Sequence, residues 1–189
     1  AFVNWEKLQG HMHFLLSKGG LYKVYNNNLL YHGCIPLNED GSFKSVKIYG
    51  RSYKGKALYE VLESYVRKGF YAIDEKERKR GKDMMWYIWL SENSPLFGKD
   101  KMATFERYFL AEKETHKEKK NPYYDFLEND KVVDRILKEF GLEHSFSHII
   151  NGHMPVKSKN GENPMKCGGK VFVIDGGFSR AYQKQTGIA

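Results

Sequence analysis

This chain has little that would carry it across a bilayer or staple it as a small extracellular fold. Its longest uninterrupted apolar run, Met84 to Leu90, falls far short of the roughly 20 residues a transmembrane helix needs, and no charged-then-apolar leader opens the chain. Cysteine is nearly missing: Cys34 and Cys167 are the two in 189 residues, neither lies in a CxxC pair, and both are expected to be reduced thiols in a cytosolic setting. GxSxG, HExxH and GxGxxG are also absent, which removes the serine-hydrolase elbow, the zincin helix and the dinucleotide fingerprint. A cytoplasmic location without a membrane partner is the expectation.

What is present can bury a real core. Hydrophobic residues make up 41% of the chain and aromatics 15%, enough for one large domain or a substantial part of one. The net charge of +8 favours acidic partners such as nucleic acid, an anionic surface or a small phosphorylated substrate. The chain starts at Ala1 without a methionine and stops at Thr186-Gly187-Ile188-Ala189 without a helix-closing signal, so it reads as a segment of something longer, the remainder of the same polypeptide being an expected partner.

Asn4 is placed to cap a helix carrying Leu8, Met12, Leu15 and Leu16, which Gly19-Gly20 stops. Two short runs, Leu21 to Tyr25 and Leu29 to Tyr31, flank Asn26-Asn27-Asn28 and read as a hairpin. Ser42 to Tyr49 reads as a strand or extended segment. Leu58, Val61, Leu62, Tyr65 and Val66 form a helical stripe ending near Gly69, and a further helix beginning in Asp74 to Lys82 is expected to bury Met85, Trp86 and Trp89. A helical run over Lys101 to Leu110 precedes the charged stretch Glu112 to Lys120, whose mixed signs suit a solvated face better than a nucleic-acid patch. Asn129 caps a helix bearing Val132, Val133, Ile136, Leu137 and Phe140, closed by Gly141. Strands at Ser147 to Ile150 and Lys170 to Ile174 complete an alternating pattern, so the fold class is α/β with a layered sheet. The aromatics fall on helical stripes and read as core rather than as an RNA platform.

Chemistry is concentrated at strand exits. Leu29-Leu30-Tyr31-His32-Gly33 and Ile149-Ile150-Asn151-Gly152-His153 each place a histidine where an apolar strand gives way to a glycine turn, 121 positions apart. Each is a candidate metal ligand; the competing role is a structural histidine bonding its own turn. The exit Val173-Ile174-Asp175-Gly176-Gly177 has the same form, with Asp175 placed to coordinate, to orient a histidine or to cap a turn, and Arg180 placed to contact a phosphate. Lys157, just after His153, is a second candidate substrate contact. His11, His13, His116, His144 and His148 are read as surface or packing residues. Two basic or glycine-containing turns, Tyr49 to Lys56 and Asn93 to Lys99, suggest anion cradles without the spacing of a P-loop.

The segments Asn28 to Pro36, Lys82 to Tyr87, Glu92 to Lys99, Glu114 to Glu118, Ile150 to His153 and Ile174 to Ser179 together resemble the class III fructose-1,6-bisphosphatases, a bacterial branch of the calcineurin-like metallophosphoesterases. The resemblance implies part of a four-layer α/β/β/α metallophosphatase sandwich, a mixed sheet with flanking helices and a helical insert at roughly 56–140. It implies His32 and His153 as metal ligands and Mn²⁺ as the metal, with two ions about 3.5–4 Å apart clamping the phosphoryl group and activating a water. The substrate it implies is a small phosphorylated sugar, fructose 1,6-bisphosphate, hydrolysed in gluconeogenesis; a homo-oligomer fits as well, and nucleic acid does not. The superfamily's DxH, GDxxDRG and GNH(E/D) segments do not occur here, so this segment is expected to hold about half a site, to bind metal weakly and to show negligible activity alone. A phosphoprotein or nucleotide phosphatase of the same superfamily, and a noncatalytic basic binding module, stay open as alternatives.

Overall fold

Three parallel strands end side by side along one sheet edge, and that edge carries both histidine turns. The computed structural model describes residues 4–143, 146–157 and 160–175. Its elements are α1 (Glu6–Lys18), β1 (Tyr22–Tyr25), β2 (Asn28–Tyr31), β3 (Val46–Ile48), β4 (Arg51–Tyr53), α2 (Gly55–Tyr71), α3 (Glu75–Leu90), α4 (Thr104–Phe109), α5 (Asp130–Glu139), β5 (His148–Asn151), β6 (Met165–Lys166) and β7 (Val171–Val173). The main sheet has the order β1-β2-β5-β7-β6; β2, β5 and β7 run parallel, while β1 and β6 join the edges antiparallel. The molecule is thus a mixed α/β fold, a mixed sheet with flanking helices, as the alternation in sequence suggested.

The hairpin β1-β2 closes through Asn26 (φ 47°) and Asn27 (φ 59°), residues that tolerate left-handed backbone at little cost. Asn129 caps α5 through its side-chain oxygen, 3.2 Å from the Val132 N–H. One face of the sheet is buried: Leu29, Tyr31, Ile149, Val171 and Val173 join Tyr59 of α2 and Val133, Ile136 and Leu137 of α5 in the larger core. The opposite face, carrying Leu30, Ile150 and Phe172, is only half-buried among the described residues. A smaller cluster unites β3 with Leu58 and Leu62 of α2 and Met84 and Ile88 of α3.

Several expectations are corrected. Trp5, not Asn4, stands at the N-cap of α1, with no side-chain cap, and α1 buries none of its residues. Helix α2 ends at Tyr71, near Gly69 as expected, and Gly69 itself is buried within its last turn. A Cβ on Gly81 would collide with the backbone of Gly69, so these two glycines let α2 and α3 approach closely and set which face of α3 turns inward. Gly81, Met84 and Ile88 take that face; Trp86 and Trp89 stay about 60% exposed and pack edge to face on each other. The exposed aromatics extend to Phe105, Tyr108 and Phe109 of α4, so not all the aromatic content is core. The basic stretch after Tyr49 contains strand β4, reached through Tyr49 (φ 44°) and Gly50 (φ 87°). Its expected anion position at the start of α2 is filled by the chain's own carboxylate: Glu139 Oε1 accepts from the Lys56 N–H at 3.1 Å. No described helix is long and apolar enough to cross a membrane.

Candidate metal centre

The exits of β2, β5 and β7 are bonded to one another through their backbones. The Gly152 N–H donates to the His32 carbonyl at 2.9 Å, and the Ile174 N–H donates to the Asn151 carbonyl at 2.8 Å. Asn151 adds a side-chain clamp, its Nδ2 donating to the Gly33 carbonyl at 3.0 Å while the residue is 1% exposed. These bonds continue the parallel register, Leu30 beside Ile150 and Asn151 beside Val173, past the last strand residues.

That arrangement brings the two predicted histidines together. His32 Nε2 and His153 Nδ1 lie 3.0 Å apart, the rings meeting at 66°. His153 is held by its other nitrogen, Nε2, which donates to the Phe97 carbonyl at 2.7 Å. With its proton at Nε2, His153 presents the Nδ1 lone pair toward His32, the arrangement in which a backbone carbonyl orients a metal-binding imidazole. His153 also adopts a left-handed backbone (φ 69°), a strained state for a residue with a Cβ and one that concentrates at functional sites. The alternative for His153, a structural histidine bonding its own turn, does not describe these bonds: its partners come from residues 32 and 97.

Two nitrogens on one ion with bonds of about 2.1 Å at a right angle are separated by about 3.0 Å, so the pair fits as two neighbouring ligands. Two imidazoles do not complete a site. Among the described residues no group of three or more His, Cys, Asp or Glu converges to hold a metal. Burial, more than any charge, holds the His153 imidazole below its ordinary pKa of 6.5; His32 and Lys99 act in the same direction, against the Phe97 carbonyl and Asp175. A neutral imidazole is the form that can ligate.

The segment from Ser94 to Lys99 roofs the pair; in the sequence it reads as an anion turn and as part of one segment carrying the family resemblance, not as a support for His153. The Cys34 N–H donates to the Pro95 carbonyl at 2.8 Å, and Ser94, itself buried, donates to the Ile88 carbonyl at 2.5 Å. Gly33 permits this approach, since a Cβ there would run into the Pro95 carbonyl oxygen and lie 3.1 Å from that of Leu96. Asn151 was missed as a functional residue; an amide one residue ahead of a Gly-His turn is the signal that would have marked it.

Of the remaining candidates, Lys157 and Asp175 fall among the described residues. Lys157 is exposed, with its backbone N–H bonded to Glu162 Oε2 at 3.0 Å. Asp175 reaches the site's edge, its carbonyl accepting from the Val156 N–H at 3.2 Å. Arg180 and His144 lie outside the described residues. His13 packs on Phe70 and Tyr71, His148 on Phe172, and His116 bonds the Leu110 carbonyl, in keeping with packing and surface roles.

A family model described as Firmicute fructose-1,6-bisphosphatase matches residues 1–189. Proteins named "Fructose-1,6-bisphosphatase class 3" are 61% identical over 190 residues in Clostridioides difficile (strain 630) and 58% identical over 190 residues in Clostridium acetobutylicum and Clostridium novyi (strain NT). All of this chain is covered in each case, and it spans 29% of the length of each of these relatives. No solved structure matches the chain.

Proposed function

Because the chain belongs to the Firmicute fructose-1,6-bisphosphatase family, we propose that it supplies part of the active site of a cytoplasmic, metal-dependent sugar phosphatase that hydrolyses fructose 1,6-bisphosphate to fructose 6-phosphate and phosphate in gluconeogenesis. The observation that carries the reading is the meeting of His32 Nε2 and His153 Nδ1 at 3.0 Å from opposite ends of the chain. These two residues would hold a divalent ion, Mn²⁺ in this reading, whose chemistry when bound is to polarise the phosphoryl group and activate water. The chain's own contribution is to fix the donors. Phe97 holds the proton of His153 at Nε2, and Asn151 and the Gly152 amide tie the two turns together.

The missing carboxylates belong to the remainder of the polypeptide, which also supplies the second sheet of a four-layer α/β/β/α sandwich. The half-covered face of Leu30, Ile150 and Phe172 is where that sheet would pack. Lys157 and Arg180 are proposed as phosphate contacts on charge and position alone.

The test is phosphate release from fructose 1,6-bisphosphate in Mn²⁺ by the full-length protein, by its His32→Ala and His153→Ala variants and by residues 1–189 alone. Turnover is expected only in the unaltered full-length protein. Clear turnover by the segment alone, lost in His32→Ala, would show that the site is complete without the rest of the polypeptide.

A further inference from the structure

Helix α4 is arranged the reverse of a helix that faces water. It buries none of its residues, and its Phe105, Tyr108 and Phe109 are 74%, 81% and 77% exposed. Positions three and four apart share one helix face, and the Phe105 and Phe109 rings stack with centroids 6.3 Å apart. The polar side is turned inward: Arg107 lies 3.4 Å from Glu118 Oε1, which also accepts from the Ala103 N–H at 3.0 Å. The arm that carries α4, residues 100–120, is braced by Lys101 Nζ donating to the Thr115 carbonyl at 2.7 Å and by His116 Nε2 bonded to the Leu110 carbonyl at 3.0 Å. A solvated amphipathic helix keeps its apolar stripe inside and its charges outside.

A six-residue helix does not persist on propensity alone, and a contiguous exposed apolar face marks a contact. The root of the arm says where that contact lies. Lys99 and Lys120 stand opposite each other in an antiparallel bridge, the Asn121 N–H donates to the Gly98 carbonyl at 2.9 Å and the Asp100 N–H to the Lys119 carbonyl at 3.0 Å. The arm therefore rises from the segment that holds Phe97 against His153. Among the described residues no carboxylate completes the histidine pair, so the chain that brings carboxylates must come up to this same segment. More than two thirds of each relative's length lies outside this chain. Three aromatic side chains bury about 450–750 Å², less than the roughly 800 Å² per partner of a stable interface between separate chains. Within one polypeptide that area is enough, because docking there costs no translational freedom of a second molecule.

We infer that the face of α4 formed by Phe105, Tyr108 and Phe109 is a docking surface for the part of the same polypeptide that completes the histidine pair, so that the arm clamps that part against the roof. The inference rests on the phosphatase reading above for its occupant. The contact is separate from the half-covered sheet face of Leu30, Ile150 and Phe172, and the two together hold the occupant from both sides of the histidine turns.

The experiment uses the full-length protein. With p-benzoylphenylalanine in place of Phe105 it is irradiated, run on a denaturing gel and mapped by mass spectrometry; unaltered protein is footprinted with hydroxyl radicals, native and in denaturant. The expected cross-link joins position 105 to a peptide outside residues 1–189 and runs at the mass of one chain. Phe105, Tyr108 and Phe109 should be oxidised at least about fivefold more slowly in the native protein, as in the water-excluded centre of an interface. A cross-linked band at twice the chain mass assigns the face to a second copy and overturns the inference. A cross-link back into residues 1–189, or oxidation of all three aromatics at the denatured rate, overturns it as well. Unaltered protein is also assayed for phosphate release from fructose 1,6-bisphosphate. The expected cross-link in a protein that releases no phosphate refutes the phosphatase reading and leaves the docked arm standing, whereas turnover by a protein with an unprotected arm overturns the docking alone.

Discussion

Replacing Gly33 by alanine should damage stability and site together, because one methyl group would enter the narrowest gap beside the histidine pair. The added Cβ would overlap the Pro95 carbonyl oxygen and come within 3.1 Å of that of Leu96, whereas ordinary contact begins at 3.4 Å. The roof must therefore retreat by about 1 Å, which strains or breaks the Cys34 N–H bond to Pro95. Overpacking of a tight interior costs about 1–3 kcal/mol and a lost hydrogen bond about 1 kcal/mol, so a loss of about 2–4 kcal/mol is expected. At about 2–4 °C per kcal/mol this lowers the transition of this sheet by about 5–10 °C. Phe97 lies two residues beyond Pro95, so the same retreat draws its carbonyl from His153, and a misplacement of about 1 Å at a positioned group costs about a hundredfold in rate. Calorimetric melting and kcat/KM of the full-length protein measure both effects. Gly10→Ala is the control: nothing lies within 4 Å of a Cβ there, and alanine should stabilise α1 by about 0.5–1 kcal/mol. A Gly33→Ala protein that melts with the parent and keeps its rate within twofold would refute the close approach.

Other outcomes follow from the same structure. Asn151→Leu should weaken Mn²⁺ binding to the full-length protein about 10–100-fold through loss of the clamp on Gly33, measured by equilibrium dialysis. Tyr31→Phe leaves the buried Tyr123 hydroxyl without its 2.6 Å partner and should cost about 1–3 kcal/mol in denaturant unfolding. Burial pushes the Cys34 thiol up to about 12 and the Cys167 thiol up to about 11, so peptide mapping after iodoacetamide at pH 8 should find both unlabelled until denaturant is added. Because His153 in the fold is held below 6.5, the unfolded chain binds its proton more readily; the associated stability is complete above pH 6.5 and is lost as the pH falls below it toward the folded value, which imidazole NMR of metal-free protein would follow.

The parts of the fold legible in sequence are those that local chemistry decides. Asn26-Asn27 closes a hairpin, Asn129 caps α5, and a histidine after an apolar strand arrives at the sheet edge because parallel strands share their C-terminal ends. What escaped depends on partners distant in the chain. Periodicity marks a stripe on α3 but not which side a neighbouring helix covers, and the contact of Gly69 with Gly81 turns Trp86 and Trp89 outward. Glu139 takes the start of α2 from 83 residues away. The two-residue strand β6 exists only by pairing with β7. Within the site, both imidazoles were legible as types and positions, while the Phe97 carbonyl was not, since every residue has one and only the roof's path selects it.

The backbone bonds that run sideways across the three turns have a mechanical result. Neither imidazole can drift from the other unless the seam between their strands unzips, so the distance between the two nitrogens is governed by the rigidity of a sheet rather than by loop fluctuation. Warming should then leave any captured cation in place almost until the whole sheet melts, and its release and the loss of tertiary signal should fall at the same temperature.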